Sequence, residues 1–258
     1  MEDFVRLEVD DGVGVIRLDR PPANAISHAV GLRLGEVIAE AGAREDVGAL
    51  VLGGGPRLFA AGADIKEMVG LGPEQIRPVV SALGDAIDAL EALPKISIAA
   101  VTGYALGGGL ELALGADLRY LAADATIGQP EVKIGVMPGA GGTQRLTRML
   151  GPARAGRIVY TGEQIDAGEA HQLGLADRVL PADELLAAAV QDARAFARGP
   201  RLALVAAKEA IRAAVHTPGP AGLARERELF CGLFGSPDQL EGMQAFLDRR
   251  PPSFGGEP

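Results

Sequence analysis

The chain has 258 residues, 48% apolar and 23% charged, the make-up of a globular protein long enough to bury one sizeable core. Its net charge of −9 argues against non-specific binding to nucleic acid or to an anionic membrane surface, so a phosphorylated ligand would need cations of its own. A lone cysteine, Cys231, excludes an intrachain disulfide framework, and His28, His171 and His216 lack metal-ligand spacing, so a cytoplasmic, metal-free setting is expected. In chain order, Met1-Glu-Asp-Phe-Val5 is acidic without a secretory leader pattern, and no apolar run reaches the roughly 18 residues of a membrane span. Phe4–Val9 and Val13–Leu18 alternate apolar and polar residues around Asp10-Asp11-Gly12, which predicts a hairpin. Ser27 stands where a helix N-cap would, ahead of helical apolar spacing that runs to about Ala43. Ala49–Leu52 reads as a short buried strand closing on three glycines. Pro73 to Glu91 reads as a helix ended by Pro94, and Ile96–Val101 as a wholly apolar strand leading to Gly103. A Gly-rich helix to about Ala116 follows, then short strands at Leu118–Ala122 and Thr126–Ile127. Helix resumes at Gly142, with breaks at Gly151-Pro152 and near Gly162. From Pro181 the segments Pro181–Arg198, Arg201–Val215, Leu223–Phe234 and Asp238–Arg249 are all helical in period. The expected architecture is α/β: a strand-and-helix core over 1–198 followed by a helical region over 199–258.

The chemistry concentrates in Gly103-Tyr-Ala-Leu-Gly-Gly-Gly-Leu-Glu111 and in Gly128-Gln-Pro-Glu131. A triple glycine opening an apolar helix leaves backbone N–H groups bare at the positive end of the helix dipole. Glu111 lies within an apolar run, where burial would raise its pKa. The small residues of Phe59-Ala-Ala-Gly-Ala-Asp-Ile-Lys66 let a ligand approach the backbone and leave the Ala63 N–H as a second donor beside that of Gly108. Each feature alone has a plainer reading. Asp64 and Glu67 have capping-box spacing, the glycines suit tight turns or close packing, and a helical Glu is ordinarily a surface residue. Only together do two bare N–H groups and two carboxylates suit acid–base chemistry on an acyl thioester. Neither glycine run forms a dinucleotide or P-loop motif. Cys231 is expected as a buried structural thiol, Tyr104 and Tyr160 as core residues, Asp117 as structural, and the histidines as helix or surface residues. Lys66 and Arg57 are surface cations unless a phosphorylated ligand passes their loops.

These segments together resemble the enoyl-CoA hydratase (crotonase) family. The likeness also covers Arg20-Pro-Pro-Ala-Asn24, Pro138-Gly-Ala-Gly-Gly-Thr-Gln-Arg145, Tyr160-Thr-Gly, Glu241-Gly-Met-Gln-Ala-Phe246 and Arg249-Arg250-Pro251 with Phe254, in order and over nearly the whole length. The resemblance implies a crotonase-like spiral of β-β-α turns with a C-terminal helical region that builds trimers, often paired into hexamers. It places the acid/base glutamates at Glu111 and Glu131 and the oxyanion N–H groups at Ala63 and Gly108. Contacts to CoA are implied around Ala23 and along Ala61, Asp64, Ile65 and Lys66, with CoA part of the substrate and no separate cofactor. Retention of both glutamates implies reversible addition of water to 2-trans-enoyl-CoA in acyl-CoA degradation. The alternatives are a Δ-isomerase using Glu131 alone, and a non-catalytic scaffold that binds RNA, against which the acidic charge counts. Where the family commonly has a basic residue after the terminal Phe, this chain has Gly255-Gly-Glu-Pro258, which leaves Lys66 and Arg57 as the expected cations near CoA phosphates. The Ala/Leu-rich C-terminal helices carry more apolar surface than a thin core edge covers and are expected to bury it between subunits.

Overall fold

The computed structural model describes residues 4–217 and 219–255; Met1-Glu-Asp3 and Gly256-Glu-Pro258, named above for a leader and a tail contact, lie outside them. The hairpin forms: β1 (Val5–Asp10) pairs antiparallel with β2 (Val13–Leu18), in register from Val5 opposite Leu18 to Asp10 opposite Val13. Its two linking residues, Asp11 and Gly12, have φ of 49° and 79°, the backbone that matches strand twist in a two-residue turn. Among the described residues seven strands follow: β3 (Ala49–Gly53), β4 (Ile96–Val101), β5 (Tyr104–Leu106), β6 (Leu118–Ala122), β7 (Thr126–Gly128), β8 (Gln164–Asp166) and β9 (Arg178–Leu180). One sheet runs β1-β2-β3-β4-β6-β9, parallel from β2 onward, and a small second sheet runs β5-β7-β8. Helices cover the parallel sheet, so β3 and β4 are buried nearly end to end and read as continuous apolar runs rather than alternating ones.

Two long helices pack on each other beside the sheet. Ser27 caps α1 (His28–Ala43) by accepting from the Val30 N–H, and the buried face of α1 comprises Val30, Leu34, Val37, Ile38 and Ala41. A four-residue α2 (Ile65–Met68) leads to α3 (Pro73–Ala92), which turns Leu83, Ala86, Ile87 and Leu90 inward. Each Leu or Ile fully buried here contributes about 1.5–3 kcal/mol. The Gly-rich segment then divides: Tyr104–Leu106 is a strand, and the helix α4 spans only Gly108–Leu114, all buried. The chain continues through a 3₁₀ turn (Pro130–Ile134), α5 (Gly142–Leu150), α6 (Pro152–Thr161), α7 (Ala167–Gln172) and α8 (Ala182–Ala197).

The C-terminal helices α9 (Arg201–His216), α10 (Pro220–Gly232) and α11 (Pro237–Asp248) lie at the edge of this core. The one buried residue of α9 is Lys208, whose ammonium reaches inward to Asp117 (2.7 Å) and the Lys95 carbonyl (2.9 Å). Asp117 is structural as expected, its carboxylate also accepting from the backbone N–H and hydroxyl of Ser97. The apolar positions of these helices face outward: Ile211, Phe230 and Phe246 are 70%, 60% and 82% exposed. Three expectations are corrected here. Cys231 is exposed, because no residue of α10 is buried. Tyr104, at the open end of a three-residue strand, and Tyr160, in the last turn of α6, are exposed rather than core residues.

Candidate active site

Two short elements bring the carboxylates to one cavity. Glu111 projects from the first turn of α4 and is 3% exposed; Glu131 sits in the 3₁₀ turn after Gln129-Pro130. Both line a cavity of about 390 Å³. Ile76, Val79, Val80 and Leu83 of α3 line it at helical spacing, together with Val136 and Met137. Gly107 has φ of 51°, a conformation that favours glycine, and a Cβ there would stand 3.0 Å from the nearer Glu131 oxygen.

The N–H groups of Ala63 and Gly108 face this cavity. Ile26 N–H donates to the Gly62 carbonyl and Asp64 N–H to the Ile26 carbonyl, a parallel bridge that turns the intervening Ala63 N–H to the opposite side. The N–H groups of a helix's first turn have no partner within the helix, and Gly107 N–H is already given to the Gly128 carbonyl. Among the described residues neither Ala63 N–H nor Gly108 N–H has an intramolecular acceptor. The two sites are neighbours: a Cβ on Gly108 would lie 3.6 Å from the Ala63 nitrogen and 4.0 Å from Glu111 Oε2. Gly109 has a packing role instead, since a Cβ there would collide with the Ala60 carbonyl oxygen.

The two acids are held differently. Glu111 Oε1 accepts from the N–H groups of Ala140 and Gly142, both at 2.8 Å, which leaves Oε2 for the cavity. Burial pushes the Glu111 carboxyl up, opposed by these two N–H groups and by the Arg145 guanidinium. Burial pushes Glu131 up to about 7; its own backbone N–H pulls it back, and the negative charge of Glu111 adds a smaller upward push. With its amide nitrogen turned toward Glu131, the buried Gln129 donates to the two carboxylate oxygens at 2.7 and 3.1 Å and draws that carboxyl partway back. Three donors of positive field bear on Glu111, while Glu131 faces a negative neighbour. Burial thus raises both carboxyls, and the positive field is concentrated on Glu111.

Of the residues expected near CoA, Ala61 and Ile65 line the cavity, and the Ala61 N–H donates to the Ala23 carbonyl (3.0 Å), joining those two loops. Asp64 is turned into the fold: its carboxylate pairs with Arg20 at 2.8 Å and caps α2 through the Lys66 N–H. The other half of the expected capping box does not form, because Glu67 accepts from the His28 N–H instead. The side chain of Lys66 is exposed and, like Arg57, stands outside the cavity lining, where Lys133 is the one cation. Lys133 went unmarked in the sequence, and Gln129, Ala140, Gly142 and Arg145 stand in segments named above without a role assigned to them. A basic residue two positions after Glu131 and a glutamine before Pro130 were the available signals for the first two. Nothing in the sequence signals that backbone 31 residues beyond Glu111 would hold it.

The enoyl-CoA hydratase/isomerase family, compared as a sequence profile, matches residues 8–257. The chain belongs to that family. It is 42% identical to the 2,3-dehydroadipyl-CoA hydratase of Escherichia coli over 94% of each chain. It is 41% identical to the mitochondrial enoyl-CoA hydratase of Pongo abelii, over 94% of this chain and 83% of the relative. The crystal structure of enoyl-CoA hydratase from Bacillus anthracis superposes with a TM-score of 0.93 at 37% identity, over 98% of this chain and all of that one. The fold of this family member is thus the crotonase fold, with its strands in the parallel sheet and the small second sheet and helices α9–α11 at the C-terminus. Among the described residues no group of three His, Cys, Asp or Glu is placed to hold a metal ion, and no helix is long and apolar enough to cross a membrane.

Proposed function

We propose that this family member is a 2-enoyl-CoA hydratase, a hydro-lyase that adds water reversibly across the Cα=Cβ bond to give 3-hydroxyacyl-CoA in acyl-CoA degradation. The observation that carries the reading is the convergence, on one cavity, of two carboxyls beside two unused N–H groups. The Ala63 and Gly108 N–H groups hold the thioester oxygen. Glu111 Oε2 takes a proton from water as its oxygen bonds to Cβ, and the π electrons move onto the thioester oxygen as an enolate. The enolate then takes the Glu131 proton at Cα, and proton exchange with solvent resets both carboxyls. The net change is one water added. A site of this kind draws its rate from positioned acid and base and from preorganised N–H donors. An isomerase would need one of the two acids; the grip on Glu111 by two N–H groups supports a role for both. No cofactor is needed beyond the CoA that the substrate carries.

The exposed apolar faces of α9–α11 support assembly as a homotrimer or a dimer of trimers. A chain with one cysteine suits a cytoplasmic setting. The test is hydration of crotonyl-CoA by the purified protein. Glu111→Gln and Glu131→Gln are each expected to lower kcat by about 10²–10⁴-fold. Wild-type rates in both variants overturn the reading.

A further inference from the structure

Arg145 of α5 is 8% exposed and sits behind Glu111, outside the cavity lining. Its guanidinium makes four hydrogen bonds, and together they tie three parts of the fold. Nη1 donates to the Ala140 carbonyl at 3.1 Å. Nη2 donates to Asp88 Oδ1 and to Glu91 Oε2, both at 2.7 Å, and Nε donates to the same Glu91 oxygen at 3.1 Å. Asp88 and Glu91 belong to α3, whose preceding turns line the acyl side of the cavity. Ala140 is thereby fixed at both ends: its carbonyl is held by Arg145, and its N–H is given to Glu111 Oε1. The turn between Ala140 and Gly142 is closed so tightly on this side chain that a Cβ on Gly141 would strike Nη1.

We propose that Arg145 is a positioning residue for the water addition, fastening the Ala140–Gly142 turn to α3 so that its two N–H groups hold one oxygen of Glu111 and present the other to substrate. This inference rests on the hydratase reading of the same site. A planar fork suits the task, because one lysine ammonium cannot meet the Ala140 carbonyl and both carboxylates in the same geometry. The groups whose charge bears on Glu111 are Arg145 from α5 and Glu131 from the 3₁₀ turn, with Asp88 and Glu91 of α3 behind Arg145. Arg145 favours ionised Glu111, so its removal raises the pH at which the base becomes available.

The test compares wild type, Arg145→Met and Arg145→Lys on crotonyl-CoA, with kcat and KM taken across pH. It also follows the Glu111 carboxyl by ¹³C titration in each protein. For Arg145→Met, kcat should fall about 10- to 100-fold, with KM within about threefold and the acid limb moved to higher pH. Arg145→Lys keeps the charge, so its acid limb should stay near the wild-type position while kcat falls at least about threefold. If the methionine variant does not fold, the lysine variant carries the test, and wild-type kcat in it overturns the proposal. A loss of kcat that only tracks the unfolded fraction, or an acid limb equal in all three proteins, also overturns it. A wild-type protein that hydrates no enoyl thioester sinks the hydratase reading instead. The ¹³C titration then tests Arg145 alone: a Glu111 carboxyl unmoved in Arg145→Met contradicts its role.

Discussion

Replacing Glu131 by Gln should remove activity and add stability. The folded chain raises this carboxyl from 4.5 to about 7, chiefly by burial. Below about pH 4.5 the folded and unfolded chains both hold the proton, and the group does not affect the balance. Between 4.5 and about 7 the folded chain keeps a proton that the unfolded chain has lost, so native stability declines as pH rises through this window and levels off above it. A shift of that size corresponds to about 3 kcal/mol at ~1.36 kcal/mol per pKa unit. Partial exposure of the carboxyl and the Gln129 N–H reduce this to about 1–2 kcal/mol. Glutamine has the shape of the protonated acid and stays neutral, so the penalty disappears. Urea unfolding of both proteins, at one protein concentration and at about pH 5 and about pH 8, measures the effect. Glu131→Gln should be more stable than wild type by about 1–2 kcal/mol at the higher pH and by clearly less at the lower. A difference that does not change with pH, or a less stable variant at the higher pH, refutes the assignment of a raised carboxyl here.

Gly108→Ala would place a methyl 3.0 Å from Leu83 Cδ2 and 3.6 Å from the Ala63 nitrogen, in the space that the proposed mechanism gives to the thioester oxygen. Its kcat should fall about 10²–10³-fold in a protein whose circular dichroism and melting are near wild type. Hydration should also decline with an alkaline limb near pH 7 as Glu131 loses its proton. Gln129→Met removes the opposing N–H and should move that limb upward, as a pH series of kcat would show. Lys208→Met leaves the half-buried Asp117 carboxylate with only its Ser97 donors and should destabilise the protein by about 1–3 kcal/mol in urea unfolding. The cavity lining of Ile76, Val79, Val80 and Met137 holds one cation, Lys133, so Lys133→Met should widen the preference in kcat/KM for hydrocarbon enoyl chains over carboxylate-terminated ones of equal length.

Local chemistry made much of this legible in the sequence. Alternation around Asp10-Asp11-Gly12, the Ser27 cap and the Pro73 start all act within a few residues, and each element formed where its signal stood. Glu111 was recognisable because a carboxylate in an unbroken apolar run needs a partner, and the Ala140 and Gly142 N–H groups supply it. What could not be read is long-range. Tyr104–Leu106 is a strand only because Thr126–Gly128 pairs beside it, and Gln164–Asp166 joins through the opposite edge. Asp64 has the local signature of a cap and fulfils it, yet its main charge partner is Arg20, 44 positions earlier in the chain. The same holds for Arg145, whose role depends on the meeting of α3, α5 and the turn before α5. Tyr160 and Cys231 stand among apolar neighbours in sequence, but Tyr160 lies off the buried face of α6 and no residue of α10 is buried.

Joint action of the two carboxyls in adding water is tested most directly by isotopic labelling. Crotonyl-CoA incubated with the protein in ¹⁸O-enriched water should yield 3-hydroxybutyryl-CoA carrying one labelled oxygen at C3. The Glu111→Gln/Glu131→Gln double variant should form that product at least about 10²-fold more slowly than wild type. A wild-type protein that leaves 2-enoyl thioesters unlabelled and only shifts the double bond of a 3-enoyl thioester would contradict the claim.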